Sequence, residues 1–279
     1  MAYTGVGVLV VSWLCRTLVF GDAPPREPPV ELLLNFTQNG KIPLKSYYVD
    51  DSNKGKGTHY KFLRKDVEAL ITQARSIVRD ALRNPPPNAP SAIAHGMWMS
   101  QLTDIWLIHA LDRYGVEKKD IVVFGSTSPW YESLVLAMGA ESVTVVEYNR
   151  LTYDHPAITC ILVKDLPLKK QFDMALSLSS FDHDGLGRYG DPINPNADVE
   201  ALGVVAQVLK PSGILFLTVP IGPDLLVWNL HRRYGKVRLP LLLQGWKQLD
   251  VIGWKEELIS MESPYTVAYE PVFVLTKDV

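Results

Sequence analysis

The chain has 279 residues, of which 47% are hydrophobic and 21% charged, and a formal net charge of −2. These values suit one large α/β domain with additions, or two small domains, and leave no electrostatic footprint for a nucleic-acid backbone. Only two cysteines, Cys15 and Cys160, are present and far apart, which excludes a disulfide framework and a Cys-based zinc site.

Gly5 to Phe20 is apolar apart from Ser12, Arg16 and Thr17, and Gly21-Asp22-Ala23-Pro24-Pro25 breaks the run. Two readings stand for residues 1–23. A cleaved signal would use Gly5–Cys15 as its apolar stretch, with small residues at Gly21 and Ala23. A buried N-terminal element fits the missing basic flank and Arg16, and the run is shorter than the roughly 20 apolar residues of a membrane span. Localisation follows the choice, cytoplasmic or secretory, and membrane contact is expected only from an uncleaved anchor. The sequon Asn35-Phe36-Thr37 would suit a lumenal protein.

Residues 24–119 read as a helical cap with linkers. Val30 to Asn53 lacks clear periodicity, and Asp50–Gly57 reads as a solvated loop. From Arg64 to Arg83, Val67, Leu70, Ile71, Ala74, Ile77, Val78, Ala81 and Leu82 recur at three- and four-residue steps. That predicts an amphipathic helix, stopped by Asn84-Pro85-Pro86-Pro87. A second helix is expected over Ser91–Tyr114, with Gly115 in the stop position and His95 and His109 as packing histidines.

From Asp120 to the C-terminus, short β-branched runs alternate with helical segments. Strands are expected at Ile121–Phe124, Val143–Val146, Thr159–Val163, Phe172–Leu178 and Gly213–Val219. Helices are expected at Tyr131–Met138 and Val199–Leu209, then a helix at Leu239–Leu249 and strands around Val251–Ile259 and Val272–Lys277. Apolar strands joined by helices imply a mostly parallel sheet covered on both faces, here closed by a C-terminal hairpin.

Ligands of such sheets bind beyond the C-terminal ends of the strands. Gly125-Ser126 after the first strand allows close approach to a ligand. Glu147, ending the second, is placed to accept ribose hydroxyls. Asp165, after the third, could accept from an adenine amino group. After the fourth comes a loop, Ser179 to Asp198, holding Asp182, His183, Asp184, Arg188, Tyr189 and Asp191. His183 suits a general base on a substrate hydroxyl, with Asp182 or Asp184 orienting it. Arg188 could bind a carboxylate or phosphate. Tyr189 and Asp191 stand beside it. His231-Arg232-Arg233-Tyr234 either lines the same cleft or forms a basic helix end. A metal site from His183, Asp184 and Asp191 is disfavoured, because those residue types share many loops.

Gly125, Glu147, Asp165-Leu166-Pro167, Phe172-Asp173 and Leu209-Lys210-Pro211-Ser212-Gly213-Ile214-Leu215, in that order, resemble class I S-adenosylmethionine-dependent methyltransferases. The resemblance covers roughly residues 120–279. It implies a Rossmann-like methyltransferase sandwich, S-adenosylmethionine as cofactor, and Gly125, Ser126, Glu147 and Asp165 as its binding residues. More closely, Ser179–Pro192 together with Asn229–Gly235 is similar to the family named domain of unknown function 268. Its nematode and bacterial members resemble methyltransferases, and the bacterial ones imply a carbohydrate-type acceptor. The sequence departs from the methyltransferase pattern at the glycine turn. Only Gly125 remains, Val123 and Phe124 stand where an acid is usual, and Ser126, Thr127 and Ser128 replace later glycines.

The leading expectation is therefore a methyltransferase acting on a small-molecule or glycan hydroxyl, with no nucleic acid as partner. The alternative is an inactive methyltransferase-like domain serving as a binding module. A nicotinamide-dependent oxidoreductase is disfavoured by the missing three-glycine spacing.

Overall fold

A computed structural model describes residues 23–53, 59–88, 99–264 and 269–278. Both N-terminal readings, on residues 1–23, fall almost wholly outside the described residues, as does His95. Among the described residues no helix is long and apolar enough to cross a membrane.

The N-terminal part contributes a 3₁₀ turn at Val30–Leu32, helix α1 (Leu33–Phe36), strands β1 (Leu44–Ser46) and β2 (His59–Phe62), and helices α2 (Arg64–Ala81) and α3 (Met99–Tyr114). Then follow β3 (Asp120–Phe124), α4 (Trp130–Ala137), β4 (Ser142–Glu147), β5 (Arg150–Tyr153), β6 (Ile158–Leu162) and β7 (Phe172–Leu178). The remainder is α5 (Ala197–Val208), β8 (Leu209–Thr218), β9 (Leu225–Trp228), β10 (His231–Arg233), α6 (Arg238–Leu242), β11 (Trp246–Ile252) and β12 (Val272–Lys277).

Seven strands form the main sheet in the order β11-β12-β8-β7-β3-β4-β6. β6, β4, β3, β7 and β8 run parallel, while β12 is antiparallel to both its neighbours. The sheet is thus Rossmann-like and mostly parallel, with one C-terminal antiparallel strand. Its central strands are buried apolar runs, as strands covered on both faces must be: Ile121 to Phe124 is buried throughout. The edge strand β11 exposes Lys247, Gln248 and Leu249, and its pairing with β12 is irregular between Gln248 and Asp250. Both features discourage edge-to-edge association.

α2 buries Val67, Ile71 and Ala74, the stripe its periodicity foretold, against α3 and α4. α3 lies against β8, β11 and β12 and buries Leu102, Trp106, Ile108 and Leu111 completely. Each such side chain removed from water stabilises the fold by about 1.5–3 kcal/mol. Trp106 fits because Gly253 (φ +88°) carries no side chain, since a Cβ there would meet the indole at 2.5 Å. Residues of α2, α3 and the sheet share one apolar core.

Two small sheets tie the N-terminal part across the strand ends. β1 pairs in parallel with β9, which β10 extends, and β2 pairs in parallel with β5. A second apolar cluster, with Phe36 edge-on to Trp228 at 5.1 Å, joins Ile42, Leu186 and Leu226.

Three expectations need correction. The helix predicted over Leu239–Leu249 stops at Leu242, and Gly245 (φ +83°) turns the chain into β11, because pairing with β12 outweighs the local helical pattern. The strand expected around Val251–Ile259 accordingly starts earlier, and Glu256–Ser260 is a 3₁₀ turn. His231–Arg233 is neither cleft lining nor a helix end but the buried strand β10.

Candidate functional site

In the sheet, β3 is flanked by β4 on one side and β7 on the other, so the order of strands reverses there. Such a switch point opens a crevice beyond the carboxyl ends of the strands. Here it is a cavity of about 720 Å³, within the roughly 300–1,000 Å³ of small-molecule and cofactor sites.

One wall is the turn after β3. Gly125 adopts φ +74° and donates its N–H to Val146 O at 3.0 Å. A Cβ at Gly125 would lie 2.7 Å from the Cβ of Ser180, so the turn and the end of β7 approach as only glycine permits. Ser126 N–H donates to Glu147 Oε1 at 3.0 Å, and Tyr148 and Asn149 N–H donate to Oε2 at 2.7 and 3.2 Å. Burial pushes the Glu147 carboxyl up, and these three N–H groups oppose the shift. Val163 closes the cavity beyond β6, whereas Asp165 is exposed and lies outside the lining.

The opposite wall is the loop after β7. Its organiser is Asp191, whose Oδ2 accepts from Gly185 and Gly187 N–H at 2.7 and 2.9 Å and whose Oδ1 accepts from Tyr189 N–H at 3.1 Å. Arg232, almost fully buried, donates to Asp184 O at 2.6 Å and Asp182 O at 3.3 Å. It lies 3.8 Å from Asp198, which Arg238 also holds. Asp191, His231 and Arg232 thus build the loop from behind and do not line the cavity. All three side chains are buried.

His183, Asp184, Arg188 and Tyr189 do line it. The His183 ring donates from Nδ1 to Leu230 O at 2.6 Å, since a carbonyl can only accept. A neutral ring then carries its lone pair on Nε2, which has no hydrogen bond among the described residues. Nε2 lies 3.5 Å from Oδ2 of Asp182, a fully buried carboxyl with no hydrogen-bond partner on either oxygen among the described residues. Asp182 therefore sits where it would balance the charge the ring gains with a proton. Arg188 is committed: its Nε donates to Asp51 Oδ2 at 2.7 Å and its guanidinium stacks over Tyr189 at 4.8 Å.

Several lining residues escaped the sequence reading. Asp50, Asp51, Asn53 and Tyr60 come from the N-terminal strap, tied down by Asp51 N–H to Arg188 O at 2.9 Å and Val49 N–H to Asn229 Oδ1 at 2.8 Å. Behind the β7 end, buried Glu270 accepts from the hydroxyls of Ser179 at 3.0 Å and Thr218 at 3.2 Å. Burial, then the nearby Asp182 charge, raises its carboxyl to about 7. No local signal marks these positions, because each reaches the site through contacts distant in sequence. Among the described residues no group of three or more His, Cys, Asp or Glu is placed to hold a metal ion.

The strand order and the crevice at β3 and β7 define a Rossmann-like domain of the class I methyltransferase type. Residues 118–268, more than half of the chain, match the family described as "Caenorhabditis protein of unknown function, DUF268", and the chain belongs to that family. No curated protein matches it. Among solved structures it is similar to an S-adenosylmethionine-dependent methyltransferase from Clostridium acetobutylicum at 11% identity and TM-score 0.43, covering 66% of this chain and 94% of that one. It is also similar to a ribosomal protein L11 methylase from Lactobacillus delbrueckii subsp. bulgaricus (11% identity, TM-score 0.39, 64% and 80% covered). A TehB-like methyltransferase from Corynebacterium glutamicum is a third (12% identity, TM-score 0.40, 68% and 94% covered). The fold assignment rests on the strand order rather than on these likenesses.

Proposed function

We propose that this chain is an S-adenosylmethionine-dependent methyltransferase acting on a hydroxyl of a small molecule or carbohydrate. The observation that carries the reading is the cavity at the switch point, bordered together by Gly125, Ser126, Glu147 and His183. The residues fit the cofactor. Glu147 Oε1 receives a single hydrogen bond and keeps a lone pair for a ribose hydroxyl, and Gly125 keeps the turn free of a side chain. When bound, the cofactor supplies an electrophilic methyl group on a sulfonium.

The chain's own residues then position the acceptor and exclude water, the main source of rate in an in-line transfer. His183 Nε2 takes the proton of the acceptor hydroxyl, with Asp182 offsetting the new charge. Asp50, Asn53, Tyr60 and Tyr189 give the acceptor side polar and aromatic surface, and the Arg188 charge is balanced by Asp51. Both features favour an uncharged, hydroxyl-bearing acceptor over an anionic one.

The test is calorimetric titration of the purified protein with S-adenosylmethionine and S-adenosylhomocysteine, followed by an acceptor screen that reads S-adenosylhomocysteine release. Dissociation constants on the order of micromolar support the reading. Folded protein that binds neither ligand sinks it and favours a cofactor-free binding module. That second reading draws on one observation, the packing of Ser180 against the only glycine of the turn.

A further inference from the structure

Among the described residues, four carboxyl side chains line the cavity: Asp50, Asp51, Glu147 and Asp184. Three are engaged. Asp50 accepts from Ser52, Asp51 pairs with Arg188, and Glu147 takes three backbone N–H groups. The fourth differs. Asp184 is 7% exposed, and its carboxyl makes no hydrogen bond or ion pair among the described residues. Arg232 reaches its backbone carbonyl, not its side chain. Among the described lining residues the one Lys or Arg is Arg188, and its Nε is already paired with Asp51. A carboxyl so buried is costly to leave unpaired, so the cavity is built for a ligand that brings a cation to this spot.

We propose that Asp184 is the counter-ion for the α-ammonium group of S-adenosylmethionine, an inference that rests on the methyltransferase reading. An ammonium brings N–H donors as well as charge, and so can satisfy carboxylate lone pairs that a sulfonium cannot. The segment before Gly125, Ile121 to Phe124, brings no acid that could do this instead. Burial, then the like charge of Asp191, raises the Asp184 carboxyl well above the usual range; Asp198 and Glu147 add to this and Arg232 opposes it. An arriving cation would draw the proton off, so binding of the ammonium is coupled to pH.

The experiment titrates wild type and Asp184→Asn with S-adenosylmethionine, S-adenosylhomocysteine and 5′-methylthioadenosine, which lacks the amino-acid end. Asp184→Asn is expected to weaken the first two roughly ten- to hundredfold and to leave the third unchanged. In wild type, the advantage of the first two over methylthioadenosine should shrink as pH falls and the Asp184 carboxyl keeps its proton. Unchanged affinities in folded Asp184→Asn, or a loss confined to S-adenosylmethionine, overturn the assignment while leaving the methyltransferase reading intact. If the variant does not fold, a wild-type advantage that ignores pH overturns it. Wild type that binds none of the three ligands overturns both.

Discussion

The backbone N–H of Ser126 donates to Oε1 of Glu147 at 3.0 Å, which locks the turn after β3 to the end of β4. Glu147 therefore serves two tasks, shaping the turn and accepting from a ligand. Glu147→Ala is expected to abolish cofactor binding and to cost about 1–3 kcal/mol of stability, as N–H groups of Ser126, Tyr148 and Asn149 lose their acceptor. Glu147→Gln keeps one acceptor oxygen and should retain most of the stability while weakening binding. Calorimetry and thermal unfolding on both variants separate the tasks. Equal stability of Glu147→Ala and wild type would contradict the structural one.

Gly125→Ala places a methyl against Ser180 and demands a left-handed backbone from a residue with a Cβ. The backbone part alone costs about 1–2 kcal/mol. The melting temperature should drop, and Ser180→Gly in the same chain should recover the steric part only. An additive double mutant would show that the contact is not what limits this position.

His183→Ala should lower turnover on a hydroxyl acceptor by about 10²–10⁴-fold, the usual weight of a general base. Cofactor affinity should hold, because the ring's role is toward the acceptor. Single-turnover kinetics beside calorimetry tests this, and a variant with wild-type turnover removes His183 from the chemistry.

The fully buried Glu270 carboxyl is raised from its ordinary 4.5 to about 7, burial being the larger cause. The folded state thus holds this proton where the unfolded chain has lost it. Its contribution is fully present below about pH 4.5 and is lost as pH rises through 7, a change on the order of 3 kcal/mol. Asp104, raised to about 6 by burial, adds a slope of the same sign. Glu270→Gln should flatten the fall in melting temperature between pH 5 and 7.5. Parallel profiles for variant and wild type would count against Glu270 as the source.

Asp198 accepts from Arg238 Nε at 3.0 Å and from Tyr234 OH at 2.9 Å, with Arg232 at 3.8 Å. Burial alone would raise its carboxyl, but Arg232 and Arg238 hold it below the usual range. Asp198→Ala strands two buried guanidinium groups and should destabilise by about 3–5 kcal/mol in denaturant unfolding. A loss below 1 kcal/mol would mean the cluster relaxes without cost.

Most of the main sheet was legible. β3, β4 and β7 are continuous apolar runs, and a strand buried on both faces leaves that mark wherever it occurs. β5 was not legible, because Arg150–Tyr153 is a strand only through its pairing with His59–Phe62, far back in the chain. β11 was obscured by apolar residues that also fit a helical period, and pairing with β12 decided the matter.

At the site, the sequence by itself determined the strand ends and the kinds of side chain there: Gly125, Glu147, and a loop carrying His183, Asp184 and Arg188. Only the tertiary structure decided which of these face the cavity. Arg188 finds Asp51 across 137 residues, and Arg232 finds the Asp184 carbonyl across 48. The physical reason is one of range. Burial within an element writes a period into the local sequence, whereas the direction of a loop side chain is set by whichever distant partner satisfies its charge or hydrogen bonds.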